Sequence, residues 1–255
     1  MVSSVKMAMF DIKTYLKEKK ELVDSYLKSY FDTPSFPSIL HEAMKYSLFA
    51  GGKRIRPILA LASYEACGGN PEYIIPQASA IELIHTYSLI HDDLPAMDND
   101  ELRRGKPTNH KVFGEAMAIL AGDALITEAF LMMTNTVFNG NLISASSIMN
   151  VIREMALSAG AFGMVGGQAQ DILSENSEPD RDTLHFIHLH KTASLITASV
   201  RIGPILSNTG VDILKALTRY GENVGLTFQI IDDILDVEGK TEELGKSVGS
   251  DKKKK

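Results

Sequence analysis

Apolar residues recur at helical spacing along almost the whole chain. Leu16, Leu22, Val23 and Leu27 outline an amphipathic first helix that ends near Pro34. Pro37 opens a second helix, which runs to the Gly51-Gly52 break. A third runs from Pro57 to Gly68, and a fourth opens after Pro71 and ends at His91-Asp92-Asp93. Four more helical stretches are predicted over 112–138, 142–173, 183–206 and 211–237. Strand signals are nearly absent: Asn139-Gly140 joins two helix-like segments, not two alternating apolar runs. The stretch 116–129 is apolar on most faces and therefore belongs in the middle of a bundle. The pattern predicts an all-α fold, a single domain over residues 1–255 with long helices around a central cavity.

Composition adds limits. The chain has 255 residues, 44% of them hydrophobic and 23% charged, which is enough apolar material for a core. A net charge of −6 argues against a nucleic-acid surface, which is normally basic. Cys67 is the single cysteine, so no internal disulfide can form and a reducing, cytoplasmic setting is expected. Asp11 and Lys13 follow Phe10 at once, leaving no signal-peptide core. No uncharged apolar run of about 18 residues occurs, so no membrane span is expected.

The chemistry concentrates in two acidic clusters, His91-Asp92-Asp93-Leu94-Pro95-Ala96-Met97-Asp98 and Gln229-Ile230-Ile231-Asp232-Asp233-Ile234-Leu235-Asp236. Each follows an apolar stretch, where unpaired carboxylates are costly. Hard oxygen ligands of this kind suit Mg²⁺, which takes one or two carboxylates and shares its other positions with water and phosphates. Asp232 and Asp236 are four apart and share a helix face, and Gln229 joins it. Asp92 and Asp98 are six apart and on a straight helix would diverge by about 120°. Pro95 cannot donate to the carbonyl of His91 and its ring clashes there, so the helix must kink or stop. Asp98 can then swing back toward Asp92.

Two basic runs accompany the clusters. Gly51-Gly52-Lys53-Arg54-Ile55-Arg56-Pro57 puts three cations on a glycine-loosened loop that leads into a helix, a setting that favours anions. Arg103-Arg104-Gly105-Lys106 follows the first cluster closely, and arginine grips phosphate oxygens in pairs. Lys191-Thr192 and Lys246, taken alone, read as surface.

In order and spacing these residues closely resemble the trans-isoprenyl diphosphate synthases of the bacterial and plastid short-chain type. The resemblance runs over nearly the whole length. Beyond the two basic runs it takes in Ile84-His85-Thr86-Tyr87-Ser88-Leu89-Ile90 ahead of the first cluster, and Pro107-Thr108 and Gly122-Asp123 after it. It then covers Gly166-Gly167-Gln168 with Asp171, His190-Lys191-Thr192, Phe228 ahead of the second cluster, and Gly245-Lys246.

The resemblance implies the isoprenoid synthase fold and a Mg²⁺-dependent prenyltransferase, probed below by its geometry. An allylic diphosphate ionises, isopentenyl diphosphate attacks the carbocation, and the departing pyrophosphate takes the proton. By that likeness several Mg²⁺ ions are held by Asp92, Asp93 and Asp98 on one side and by Asp232 and Asp236 on the other, with Asp233 beside them. Arg103, Lys191 and Lys246 grip the allylic diphosphate. Gly52, Lys53, Arg56, His85 and Arg104 hold isopentenyl diphosphate, and Gln229 and Thr192 turn oxygen dipoles toward the cation. The family also implies a homodimer, for which the apolar 112–138 helix is the expected interface.

Members usually continue past this point, so the resemblance implies a domain truncated at its C-terminus, with reduced activity. Three other readings fit the residues less well. Glu82-Leu83-Ile84-His85 fits the Glu-x-x-His signature of di-iron bundles, but no second copy exists in the sequence. Terpene cyclases carry a second motif of Asn, Ser and Glu, whereas this one is aspartate-rich. A non-catalytic partner subunit generally lacks the clusters kept here.

Product length is expected to rest on Tyr87, with Ser88 beside it. Tyr87 precedes Asp92 by five residues, about 7.5 Å along a helix, and a bulky aromatic there resembles the floor that stops the chain at farnesyl diphosphate. A small residue there goes with geranylgeranyl diphosphate. Tyr87→Ala is therefore expected to lengthen the product, and product chain-length analysis checks it.

Overall fold

The computed structural model describes residues 10–34, 37–175 and 180–238, with the side chains of Asp233, Asp236, Val237 and Glu238 outside that description. The first helix, α1 (Ile12–Tyr30), starts where the Asp11 carboxylate accepts the Lys13 amide at 3.0 Å, one of the donors that every helix start leaves orphaned. Helix α2 (Ser38–Leu48) opens after Pro37, and α3 (Ile55–Ala66) follows the glycine loop. A single 3₁₀ turn, Pro71–Ile74, leads into α4 (Ile75–Asp92). Helix α4 is buried on nearly every face and forms the axis of the bundle.

Beyond it come α5 (Asn109–Phe113), α6 (Glu115–Met133), α7 (Ala145–Ala159), α8 (Met164–Ser174) and α9 (Arg181–Ile187). A π-helical turn, His188–Ala193, joins α9 to α10 (Ser194–Leu206), and α11 (Val211–Glu238) closes the described chain. The all-α expectation holds. The exceptions are two short antiparallel ladders, β1 (Leu102–Arg103) with β2 (Lys106–Pro107), and β3 (Val137–Phe138) with β4 (Asn141–Leu142).

Three predicted helices are cut differently from expectation. The 112–138 stretch breaks at Gly114, whose φ of 83° no helix uses, and ends at Met133. Asn139 and Gly140 do turn a hairpin, with φ of 49° and 75° and Val137 opposite Leu142. Two positive-φ residues match the twist of a tight hairpin, and strands of two residues are too short to show alternation in sequence. The 142–173 stretch parts into α7 and α8 at Gly160–Gly163, and a Cβ on Gly163 would fall on the Ser158 carbonyl. The 183–206 stretch stays helical but widens into an underwound π turn, His188–Ala193, in its middle.

One apolar cluster unites residues from Val23 on α1 to Leu206 on α10. Its largest members, among them Leu61, Ile81, Leu83, Leu125, Met155 and Leu195, are fully buried, each contributing about 1.5–3 kcal/mol. Helix α4 packs mainly on α6 and α3, and α10 on α3, α7 and α11. Helix α6 has the length and mean hydropathy, 1.7, that a membrane span also has, but Asp123 and Glu128 lie within it, so it is not an uncharged apolar run. Its apolarity serves the bundle: Ala118, Ala121, Leu125 and Ala129 are buried, while Glu128 accepts the Tyr30 hydroxyl. Ile119, Leu120 and Leu131 on the same helix are exposed.

Helices α3 and α10 cross so closely that a Cβ on Gly203 would overlap the backbone of Ser63 and Tyr64. Gly203→Ala is expected to destabilise the fold by roughly 1–3 kcal/mol, the usual cost of overpacking, as read from denaturant unfolding.

Candidate active site

The first acidic cluster takes its shape from the way α4 ends. The last helical residue is Asp92, three before Pro95. The Leu94 amide bonds the His91 carbonyl at 3.2 Å, the Asn99 amide reaches Leu94 at 3.0 Å, and Asn99 turns left-handed at φ 53°. The Asp98 amide thereby closes on the Asp92 carbonyl at 2.8 Å. The return of Asp98 toward Asp92 that Pro95 implies is what the backbone does.

The cost of this arrangement falls on Asp92. Burial, together with the negative charges of Asp98 and Asp93, pushes its carboxyl up to about 7, against the pull of Lys191 and Arg103. Such a group calls for a further cation. Asp93 is disposed differently. It is 3% exposed, and it accepts from Arg103 Nε at 2.9 Å and from the second guanidinium nitrogen as well. Arg103 also reaches Asp100 at 3.0 Å. The acidic cluster thus already holds one arginine fork, with Asp92 and Asp98 left toward Lys191.

Lys191 comes from the opposite wall. Its ammonium bonds Asp171 on α8 at 2.5 Å, and its pKa is raised, burial being outweighed by Asp171, Asp92 and Asp98. The π turn sets this position. A Cβ on Gly167 of α8 would fall on the Lys191 amide, and one on Gly225 of α11 would meet Ala193. Two glycines therefore let two helices close on the turn. The next residue, Thr192, donates its hydroxyl to Gln229 Oε1 on α11 at 2.6 Å. His190 faces elsewhere, stacked on Phe186 at 3.9 Å and bonded to that residue's carbonyl. Asp232 lies half-buried one helical turn beyond Gln229. Asp233 and Asp236 lie on α11 with side chains outside the description, and Lys246 lies outside the described residues.

A second, cationic pocket adjoins the first. The β1–β2 hairpin turns through Arg104 and Gly105, with φ of 54° and 75°. It carries the Arg104 guanidinium onto the glycine loop, where it donates to the Gly51 carbonyl. A Cβ on Gly52 would lie 2.8 Å from that guanidinium, so Gly52 provides the space. Arg56 and His85 lie beneath. Burial and the surrounding arginines hold the His85 imidazole well below its ordinary pKa, so it is neutral at pH 7. Burial likewise lowers Arg56, whose buried Nε has no hydrogen-bond partner in the protein. An unpartnered guanidinium N–H among arginines and a neutral imidazole is a place for an anion. Lys53 is exposed at the rim.

Residues 37–255 match the polyprenyl synthetase family. The farnesyl diphosphate synthase of Geobacillus stearothermophilus is 49% identical over 245 residues, 96% of this chain and 82% of that protein. The geranylgeranyl diphosphate synthase of Cyanophora paradoxa is 49% identical over 96% of this chain and 80% of its own. An apo FPP/GFPP synthase from Zymomonas mobilis superposes with a TM-score of 0.82 at 36% identity, over 93% of this chain and 83% of that one. A Helicobacter pylori geranyltransferase, complexed with magnesium and isoprenyl diphosphate, gives 0.80 at 35%, over 94% and 81%. The chain belongs to the polyprenyl synthetase family. Its helices form the isoprenoid synthase fold, and as a family member it is a prenyltransferase.

Within that family assignment, sequence reasoning overlooked the partners of the cations. Asp171 was noted only as part of a motif and proves to be the counter-ion of Lys191. Asp100 shares Arg103. Arg54 is buried, stands at φ 53°, and donates to Asp24, Glu82 and the Leu48 carbonyl. Glu82 is therefore an arginine partner, which removes the di-iron reading of Glu82 and His85. A lone glutamate inside an apolar helix was the available signal, since such a group must have a buried partner. Tyr87 is 7% exposed, with its ring edge-on to His91 at 5.7 Å and its hydroxyl pushed up to about 12 by burial and by Asp92. Ser88 is bonded to the His85 carbonyl.

Because Gly167 lets α8 touch the Lys191 amide, Gly167→Ala must shift Lys191 and Thr192. Misplacement by about 1 Å costs up to about 100-fold in rate, so turnover should drop by at least about tenfold, measured as steady-state prenyl transfer.

Proposed function

We propose that the chain condenses isopentenyl diphosphate with dimethylallyl or geranyl diphosphate to give farnesyl diphosphate. The observation that carries this reading is the pairing of two anion sites of different kind. One is lined by the cations Arg56 and Arg104 and by neutral His85. The other sets half-buried Asp92 and Asp98 against Lys191. A reaction of two diphosphates, only one of which departs, needs such a pair.

The donor set fits Mg²⁺. Asp92 and Asp98 are hard oxygen ligands, the burial of Asp92 raises the demand for a cation, and Asp232 lies on α11 one turn beyond Gln229, which accepts from the neighbour of Lys191. Among the described residues no three carboxylate, histidine or cysteine side chains are gathered tightly enough to enclose an ion. Mg²⁺ completes its shell with water and substrate phosphate. Asp92 and Asp98, with Asp232 and Asp236 of α11 as further ligands by family likeness, would hold it, while Asp93 orients Arg103. When bound, the metal neutralises the charge that develops on the leaving diphosphate.

The protein's own groups do the rest. Arg103 and Lys191 grip the allylic diphosphate, and their hold strengthens as the C–O bond breaks and its electron pair leaves with the diphosphate. Thr192, whose hydroxyl donates a hydrogen bond to Gln229 Oε1, keeps its oxygen lone pairs for the allylic cation. Arg56, Arg104 and His85 keep the diphosphate of isopentenyl diphosphate in place while its double bond attacks. The released pyrophosphate takes the proton.

The ring of Tyr87, packed within the core below Asp92, supports a fifteen-carbon stop. The lone free Cys67 and the exposed apolar residues of α6 support a cytoplasmic homodimer. Incubation with isopentenyl and geranyl diphosphates and Mg²⁺ is expected to yield farnesyl diphosphate, and chelation of the metal to abolish it. A twenty-carbon product would make this a geranylgeranyl diphosphate synthase. Hydrocarbons would make it a cyclase, and no product would leave a partner subunit. Lys191→Gln should lower kcat about 10²–10³-fold, as for other groups that stabilise developing charge.

A further inference from the structure

The cationic pocket rests on a residue that cannot touch substrate. Arg54 lies between Lys53 and Arg56, yet it points the other way and is 3% exposed. Its Nε donates to Asp24 on α1 at 2.8 Å, and one terminal nitrogen donates to Glu82 on α4 at 2.7 Å. The other donates to the Leu48 carbonyl, the last of α2, at 2.7 Å. Its own carbonyl accepts the Ile58 amide at 3.0 Å and starts α3. One residue thus joins four helices at the root of the glycine loop, three through its side chain and α3 through its backbone.

The backbone explains why the contact has consequences. Gly51, Gly52 and Arg54 all have positive φ, at 109°, 124° and 53°. A glycine does not hold its own conformation, and a non-glycine residue in the left-handed region persists only where its surroundings enforce it. Three acceptors on α1, α2 and α4 supply that enforcement. Glu82 has a second task. Its carboxylate is 2% exposed and lies close enough to support the charges of Arg54, Arg56 and Arg104 together. It balances the pocket from below and leaves the open side short of negative charge.

We infer that Arg54 and Glu82 form a buried clamp that positions Gly52, Lys53 and Arg56 for isopentenyl diphosphate without contacting it. The inference rests on the assignment of the Arg56–Arg104–His85 pocket to that substrate. Arg54 is a positioning residue, and it should set affinity for one diphosphate and leave the other alone. The allylic site depends on Arg103, Lys191 and the acidic cluster, none of which bonds to Arg54.

The test is equilibrium binding of isopentenyl diphosphate and, separately, of geranyl diphosphate with Mg²⁺, alongside KM for each. The full chain is compared with Arg54→Met, Arg54→Lys and Glu82→Gln, and thermal melting is recorded for all. Arg54→Met is expected to weaken isopentenyl diphosphate at least about tenfold, by displacement of the loop, and to leave geranyl diphosphate within about twofold. Arg54→Lys, which keeps the charge but not the fork, should recover part of the loss. Glu82→Gln, nearly isosteric, carries the same selective expectation where Arg54→Met does not fold. Equal weakening of both ligands, or a fall in melting temperature with both affinities unchanged, overturns the clamp. If the unaltered chain binds geranyl but not isopentenyl diphosphate, the pocket assignment itself falls and the clamp with it.

Discussion

Charge held at the end of an apolar bundle must find its partner on another helix, and this requirement organises the whole site. Asp93 is held by Arg103 from the β1–β2 hairpin, Lys191 by Asp171 from α8, and Arg54 by Asp24, Glu82 and the end of α2. Each pair crosses between elements. Of these, only the Arg54–Glu82 pair is fully buried at both ends, and breaking such a pair costs about 3–5 kcal/mol because a naked charge remains. The other pairs are partly open to solvent and set how the elements meet more by geometry than by energy. What is left over is informative: Asp92 with a carboxyl near neutrality, and an Arg56 N–H with no acceptor.

That residue of imbalance has a sign on each side. Around Asp92 and Asp98 there is an excess of negative charge, and around Arg56, Arg104 and His85 an excess of positive charge. The two lie along one helix, since His85 and Asp92 both belong to α4 and are two turns apart. Helix α4, buried along most of its length, keeps the two sites at a set separation. A reaction that joins two diphosphate-bearing molecules carbon to carbon requires the same thing: both anions anchored and both tails directed along one wall.

Glycine governs the fine positions. Gly167 and Gly225 let α8 and α11 close on the π turn that carries Lys191 and Thr192, and Gly52 makes room for Arg104. In each case the side chain that acts belongs to a neighbour, and the glycine works by not being there. The π turn itself inserts extra backbone between α9 and α10, which aims two consecutive residues at different partners, Asp171 and Gln229. Such turns recur at functional sites because they shift register without ending the helix.

Much of this was legible in the order of residues. Helical periodicity, the apolar character of α4 and α6, the break enforced by Pro95 and the spacing of the acidic and basic runs are local properties, and each follows from backbone sterics or helix geometry. The hairpins at Arg104-Gly105 and Asn139-Gly140 were not legible, because two-residue strands carry no alternation and are fixed only by what they pack against. Nor were the π turn, the pairing of Lys191 with Asp171, or the inward turn of Arg54 beside outward Lys53. Sequence spacing determines which residues share a helix face. Which face meets which charge is decided only when distant helices pack, because a buried ion selects its partner by distance in space and not along the chain.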